Sequence, residues 1–128
     1  MKDVDRDAWL NGVGELGAEL MREARRHPEK VWPSWENFPV KVALMHAELS
    51  EALEVHRCAF VGLEVRIGGG AEAAKRLFAL KKMEAELADV LILVVQTAAG
   101  LGMKLGEAVL RKTEANWERA VMHGGKSY

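Results

Sequence analysis

The sequence has a single cysteine and no long hydrophobic run. Cys58, without a partner, excludes an intrachain disulfide framework, favours a reducing compartment and is expected to be a small buried residue. The longest apolar run, 90–103, is interrupted by Gln96 and Thr97 and is too short to span a bilayer. The first residues lack the apolar core of a signal peptide, so we expect a cytoplasmic protein with no membrane partner.

Neither sign of charge is in excess. Eighteen Lys and Arg residues against nineteen Asp and Glu residues leave a formal net charge of −1 at pH 7. No general electrostatic field therefore draws the protein to DNA, RNA or anionic lipid, and we expect no nucleic-acid partner. Any charge on a substrate has to be met by a local group of residues.

Strand-like alternation is also absent, since no stretch of β-branched residues alternates with polar ones for long enough to predict a strand. All three prolines lie in HPEKVWPSWENFP, residues 27–39, which reads as a connection. Helical spacing of apolar residues predicts helices over about 7–26, 40–63 and 71–100, and a fourth helix that ends before the HGGKSY tail. We therefore predict one all-α domain, residues 1–128, folded as an antiparallel four-helix bundle.

Four acidic residues interrupt two of these helices at positions where a leucine would be expected: Glu48, Glu51, Glu86 and Asp89. The first two belong to HAELSEALE and fall inside the apolar arc around Leu44 when residues are spaced by about 100°. The other two belong to ELAD and share one stripe. Apart from Asp89, the segment 87–95 is apolar on nearly every side, so we expect it to be buried in the middle of the bundle. Two inward acidic pairs are thus predicted on consecutive helices.

Four carboxylates in a partly buried space cannot all stay ionised unaided, because desolvation and like charges both raise their pKa values. A cation is therefore expected among them. Oxygen ligands without an inward histidine or cysteine favour Mg²⁺, with Mn²⁺ as a substitute, over zinc or copper. A di-iron centre would need a Glu-x-x-His pair on each of two helices, and the sequence has no such pair.

LMHAELSEALEVHR followed by ELADVLILVV resembles the MazG-like, all-α nucleoside triphosphate pyrophosphohydrolases, whose signature is ExxE and then ExxD on the next core helix. KTEANWERAVMHGGK is similar to the lysine, asparagine and arginine helix of that family and the His-Gly tail that follows it. The matched segments extend from about residue 37 to residue 126. The resemblance implies a homodimer or homotetramer that cleaves an NTP or dNTP between its α- and β-phosphates, releasing a monophosphate and pyrophosphate.

The resemblance also implies roles for single residues. The four acids would hold Mg²⁺, and Glu48 or Glu51 would orient the attacking water or take its proton. On the fourth helix, Lys112, Asn116 and Arg119 fall within about 60° of one another and are expected to bind phosphate.

Trp32 and Trp35, in the proline-rich connection, are candidates for contact with the base. Compared with compact members of the family, the chain carries an insertion over about 62–75, which leaves the preferred base open.

Two alternatives stay open at this point. Phosphoribosyl-ATP pyrophosphohydrolase has a related fold and similar acidic pairs, and would spare ordinary dNTPs. A helical binding module without turnover would act through its dimer surface, although a pure scaffold gains nothing from burying four unpaired charges.

Overall fold

A computed structural model describes residues 3–26, 32–60 and 70–122. These residues form four α-helices and no strand, which confirms the all-α prediction: α1 (Asp3–Arg25), α2 (Phe38–Phe60), α3 (Gly70–Gly100) and α4 (Leu105–Met122). The predicted helices agree with these bounds to within a few residues. The predicted glycine turn and insertion fall largely on 61–69, and the HGGKSY tail on 123–128; both ranges lie outside the described residues.

The start of α2 is determined by a pair of reciprocal hydrogen bonds. The Ser34 amide donates to the Asn37 side-chain oxygen at 2.7 Å, and the Asn37 amide donates to the Ser34 hydroxyl at 3.2 Å. The Asn37 carbonyl then accepts the first helical bond, from the Lys41 amide at 3.0 Å. Asn37 therefore occupies the N-cap position, and Ser34 orders the turn that leads into it.

The end of α3 is a Schellman motif. The Met103 amide donates to the Ala98 carbonyl at 2.8 Å, and the Gly102 amide donates to the Ala99 carbonyl at 3.2 Å. Gly102 has a φ of 68°, a left-handed conformation that a residue without a Cβ adopts at little cost. The Lys104 carbonyl accepts a bond from the Ala108 amide at 3.0 Å and so begins α4.

The chain divides into two compact units. The first unit consists of Met1–Trp32 together with Ala98–Tyr128, and the second consists of Pro33–Thr97. In the first unit, α1 packs against α4. A Cβ on Gly106 would lie 3.4 Å from Leu10 and 3.5 Å from Val13, so the missing side chain lets the two helices approach closely. Leu110, one turn further along α4, is only 1% exposed and is the largest fully buried side chain among the described residues.

In the second unit, α2 and α3 run antiparallel. Glu48 hydrogen-bonds to Glu86, and Lys82 acts electrostatically on Cys58, so the sequence advances along one helix while it returns along the other. The buried apolar side chains described in this unit are Ala52, Ala79 and Val95. The buried apolar side chains among its described residues are thus small or medium-sized, and none is a leucine.

The expectation that the 87–95 segment is buried on every side was wrong. Leu87 is 51% exposed and Leu91 is 53% exposed, whereas Val95 is buried. Two helices bury only the faces that they present to each other, and these two leucines lie outside the face of α3 that meets α2. No single helix among the described residues is both long and apolar enough to cross a membrane.

Cys58 is exposed, contrary to the expectation that it is buried. Its thiol lies 3.5 Å from a carboxylate oxygen of Glu54, one turn earlier on α2. This hydrogen bond, together with the negative charge of Glu54, raises the pKa of the thiol above its ordinary value. The side chain is therefore held in the protonated form, which is the less nucleophilic one.

Substitution Leu110→Ala should lower the free energy of unfolding by about 2–5 kcal/mol, because it leaves a cavity at a fully buried position of the first unit. Urea denaturation followed by circular dichroism measures the change. Trp117→Ala is the matched control, because this side chain lies on the same helix and is 74% exposed. Its loss in free energy of unfolding should be well under half of that in Leu110→Ala. Equal losses in the two variants would contradict the burial assigned to Leu110.

Candidate metal site

Three carboxylates converge between α2 and α3. Glu48 and Glu51 are three residues apart on α2 and so lie one turn from each other on neighbouring faces. Glu86 comes from α3, which runs alongside in the opposite direction. One carboxylate oxygen from each of the three residues lies within 4.8 Å of the others. We refer to Glu48, Glu51 and Glu86 as the carboxylate cluster.

The carboxylate cluster lies at the edge of the contact between the two helices. Glu48 and Glu86 are half-buried, and Glu51 is exposed. One side of the cluster is therefore closed by the helices while the other remains open to solvent. This arrangement suits a ligand that arrives from solution and keeps part of its own coordination or hydration shell.

The pKa of the Glu48 carboxyl is raised above its ordinary value of 4.5. Partial withdrawal from water is the largest cause, followed by the hydrogen bond to the Glu86 side chain and by the negative charges of Glu51, Asp89 and Glu86. A hydrogen bond between two carboxyl groups requires a proton on one of them. In the absence of a cation, a proton held at Glu48 therefore relieves part of the repulsion within the cluster.

Asp89, the fourth predicted ligand, is exposed and is not one of the three converging residues. It is nevertheless close enough to raise the pKa of Glu48 through its charge. The structure thus brings three of the four predicted acids within ligand distance of one another and leaves the fourth at the margin of the same site.

The cluster fits a hard divalent cation. One carboxylate oxygen from each of the three residues lies within 4.8 Å of the others, so all three could contribute to a single ion. None of the three ligands is a nitrogen or sulfur donor, which favours Mg²⁺ or Mn²⁺ over the softer metals.

The buried face of α2 is offset from the one that the apolar pattern predicts. The prediction centred that face on Leu44, which is exposed, whereas the buried residue in this part of the helix is Ala52, about 80° further round. Glu48 consequently lies at the edge of the buried face, and Glu51 lies outside it. The apolar pattern therefore predicted more burial for these two acids than they have.

The predicted phosphate-binding residues form an exposed row on α4. Lys112, Asn116 and Arg119 are all exposed, and they share one face of that helix. They belong to the first compact unit, whereas the carboxylate cluster belongs to the second. Their approach to the cluster stays a prediction.

The two tryptophans proposed for base contact lie in different units. Trp35, in the same unit as the carboxylate cluster, is exposed, and its ring centroid lies 6.2 Å from that of Phe38 in a tilted arrangement. Trp32 is half-buried and ends the first segment of the other unit. Of the two, Trp35 offers the more accessible ring face, and its role in base contact stays a prediction.

Comparison of the chain with protein-family models, with curated proteins and with solved structures found no match.

The stability of the metal-free protein should fall as pH rises through the raised pKa of Glu48. The folded state holds this proton more tightly than the unfolded state does, so the stabilisation is fully present below the ordinary value of 4.5 and is lost above the raised one. Chemical denaturation across this pH range, in the presence of a chelator, measures how the free energy of unfolding changes with pH. Glu48→Gln should reduce this dependence on pH, whereas Glu54→Gln, on the solvent side of α2, should leave it unchanged. If the stability of Glu48→Gln depended on pH as strongly as that of the wild-type protein, the charge interactions assigned to the cluster would be wrong.

Proposed function

We propose that this protein is a MazG-like, metal-dependent hydrolase that cleaves a nucleoside or deoxynucleoside triphosphate to the monophosphate and pyrophosphate. The observation that carries the proposal is the convergence of Glu48, Glu51 and Glu86 from two antiparallel helices, with Asp89 beside them. A site made only of carboxylates suits Mg²⁺, and Mg²⁺ is the usual partner of a triphosphate. The resemblance of the ExxE and ExxD motifs points to the same chemistry.

In this reaction the residues of the cluster have two tasks. The carboxylates would bind Mg²⁺, which when bound neutralises phosphate charge and lowers the pKa of a coordinated water. Glu48 or Glu51 would also orient the attacking water or accept its proton. The raised pKa of Glu48 fits the second task, because a carboxylate with higher proton affinity is a stronger general base.

Lys112, Asn116 and Arg119 are proposed to bind phosphate oxygens that the metal does not cover. Their exposure and shared face on α4 support this role, since all three can present hydrogen-bond donors in one direction. By the same resemblance, the protein would be a cytoplasmic homodimer or homotetramer that controls nucleotide pools. The resemblance of the sequence motifs to those of the family supports these assignments.

Substitution Glu51→Gln should lower kcat/KM for the triphosphate by roughly a hundredfold or more, because it removes a charged ligand without removing volume. Glu54→Gln is the matched control, since Glu54 is exposed one turn along the same helix and pairs with Arg57 at 3.9 Å. Its activity should stay close to that of the wild-type protein. Circular dichroism checks that both variants remain helical. Full activity in Glu51→Gln would show that the carboxylate cluster takes no part in the reaction.

The substrate is tested by incubating the protein with each ribo- and deoxyribonucleoside triphosphate and Mg²⁺ or Mn²⁺, with all phosphate products resolved. Monophosphate together with pyrophosphate, from a subset of the bases, is the expected result. Nucleoside diphosphate with orthophosphate would contradict cleavage between the α- and β-phosphates. If no triphosphate reacts but phosphoribosyl-ATP does, the phosphoribosyl-ATP pyrophosphohydrolase alternative is the correct one.

Metal binding is tested separately from turnover. Addition of Mg²⁺ or Mn²⁺ should raise the unfolding temperature of the wild-type protein, because the ion binds the folded state and relieves carboxylate repulsion. Glu86→Gln should reduce this shift, and Glu84→Gln, two residues away and exposed on the same helix, should retain it. A metal-dependent shift without hydrolysis of any nucleotide would favour the binding-module alternative.

A further inference from the structure

A basic side chain lies next to the carboxylate cluster in the same unit. Lys82 precedes Glu86 on α3 by four residues, which is about one turn, or about 6 Å along the helix axis. Its charge also reaches across to α2, where it acts on the Cys58 thiol. Glu54 raises the pKa of that thiol most, through a hydrogen bond and its charge, and Lys82 lowers it. The ammonium group of Lys82 therefore lies close to both helices of the pair.

On α3, Lys82 shares a stripe with two of the acids. Measured from buried Ala79 at about 100° per residue, Lys82 lies at about −60°. Glu86 and Asp89, at about −20° and −80°, lie on either side of that direction. The positive charge therefore comes one turn before the first acid on the same side of the helix.

The acids of α2 face the same side of the pair. Measured from buried Ala52, Glu48 and Glu51 lie at about −40° and −100°. Cys58, on which Lys82 acts, lies at about −120°. Because α2 and α3 are antiparallel, rotations of the same sign from the buried side of each helix lead to the same side of the pair. Lys82 and the carboxylate cluster therefore face solvent in the same direction.

Lys82 is exposed, and it forms no ion pair with any residue in the described ranges. Arg111, by contrast, pairs with Glu107 at 3.7 Å across a spacing of four residues on α4. Between Lys82 and Glu86 the order of the two charges along the helix is reversed, which is the weaker arrangement. Glu86 hydrogen-bonds instead to Glu48. The ammonium group of Lys82 is therefore available to an anion from solution.

A single divalent ion would leave the carboxylate cluster with a net negative charge, because three carboxylates outweigh it. Asp89 adds a further negative charge close by. A polyphosphate that approaches the occupied cluster would therefore be repelled unless another cation is present. A lysine ammonium supplies that charge together with three hydrogen-bond donors, and it is a common ligand of phosphate in proteins. Lys82 can meet this need from one turn away.

We propose that Lys82 binds the diphosphate part of the substrate, which leaves as pyrophosphate, while the carboxylate cluster holds the divalent cation. The inference rests on the proposed function and deepens it, since it assigns one part of the substrate to a residue of the same unit. In this cleavage, water adds to the α-phosphorus, and the bond from that phosphorus to the bridging oxygen breaks. The electron pair of that bond goes to the pyrophosphate, where a neighbouring ammonium stabilises the added charge.

Calorimetric titration of the full chain with inorganic pyrophosphate, in excess Mg²⁺, tests this contact without turnover. The wild-type protein should bind pyrophosphate, and Lys82→Ala should raise the dissociation constant at least about tenfold, because it removes a hydrogen bond between charged groups. Lys81→Ala is the matched control. It removes the same charge from the adjacent exposed position, which lies at about −160° from Ala79 and faces away from α2. Its dissociation constant should stay close to the wild-type value.

Three results of this titration would overturn the proposal. They are a wild-type protein that does not bind pyrophosphate, an unchanged dissociation constant in Lys82→Ala, and equal losses in Lys82→Ala and Lys81→Ala. Circular dichroism checks that the variants remain helical, which is expected because alanine is a strong helix former.

The response to Mg²⁺ alone distinguishes a phosphate contact from a structural role. Without pyrophosphate, the rise in unfolding temperature on addition of Mg²⁺ should be at least as large in Lys82→Ala as in the wild-type protein, because loss of a nearby positive charge does not weaken cation binding. Lys82→Arg keeps the charge and should retain most of the affinity for pyrophosphate. A smaller metal-dependent shift in Lys82→Ala, or equal losses of pyrophosphate binding in Lys82→Arg and Lys82→Ala, would overturn the assignment.

Turnover shows whether the contact acts in the reaction. For a triphosphate that the wild-type protein cleaves, kcat/KM of Lys82→Ala should fall at least about tenfold, with monophosphate and pyrophosphate still the products. An unchanged kcat/KM would overturn the role of Lys82 and leave the metal-dependent reaction in place. If no nucleotide reacts but pyrophosphate binding depends on Lys82, the phosphate contact is supported and the proposed reaction fails. The two failures are therefore distinguishable.

Discussion

The hydrogen bond between Glu48 and Glu86 is the interaction on which the carboxylate cluster depends. It joins two antiparallel helices through groups that repel each other when both are ionised. Partial withdrawal from water, this hydrogen bond and the neighbouring negative charges raise the pKa of Glu48. A divalent cation in the proposed metal site would compensate the charges of Glu51 and Glu86 at the same time.

The same helix pair also explains why so many large apolar side chains are exposed. Two helices cover only the faces that they present to each other, and the leucines on their other faces remain in contact with solvent.

The ends of the helices are set by short stretches of residues. Gly102 follows the last turn of α3 and adopts the left-handed conformation of a Schellman motif, and Ser34 with Asn37 begins α2. The apolar spacing of the sequence placed these boundaries to within a few residues without identifying the capping residues. The absence of strands also followed from the helical spacing of apolar residues along the chain. The burial of Leu87 and Leu91 was mispredicted for a related reason. A segment that is apolar all round is compatible with a covered helix, and spacing alone does not reveal whether a neighbour covers it.

The sequence by itself determined that the described residues are helical, and it singled out Glu48, Glu51, Glu86 and Asp89 as acids in unusual positions. Each of these results depends on spacing along one helix, which the backbone repeat converts directly into a face. Only the tertiary structure decided which three acids converge, because that depends on how α2 and α3 are rotated and shifted against each other. It also decided that Ala52 is buried whereas Leu44 is exposed. Leucines occur on several sides of α2, so a pattern of hydrophobicity cannot select the buried side, whereas close packing favours the small residue.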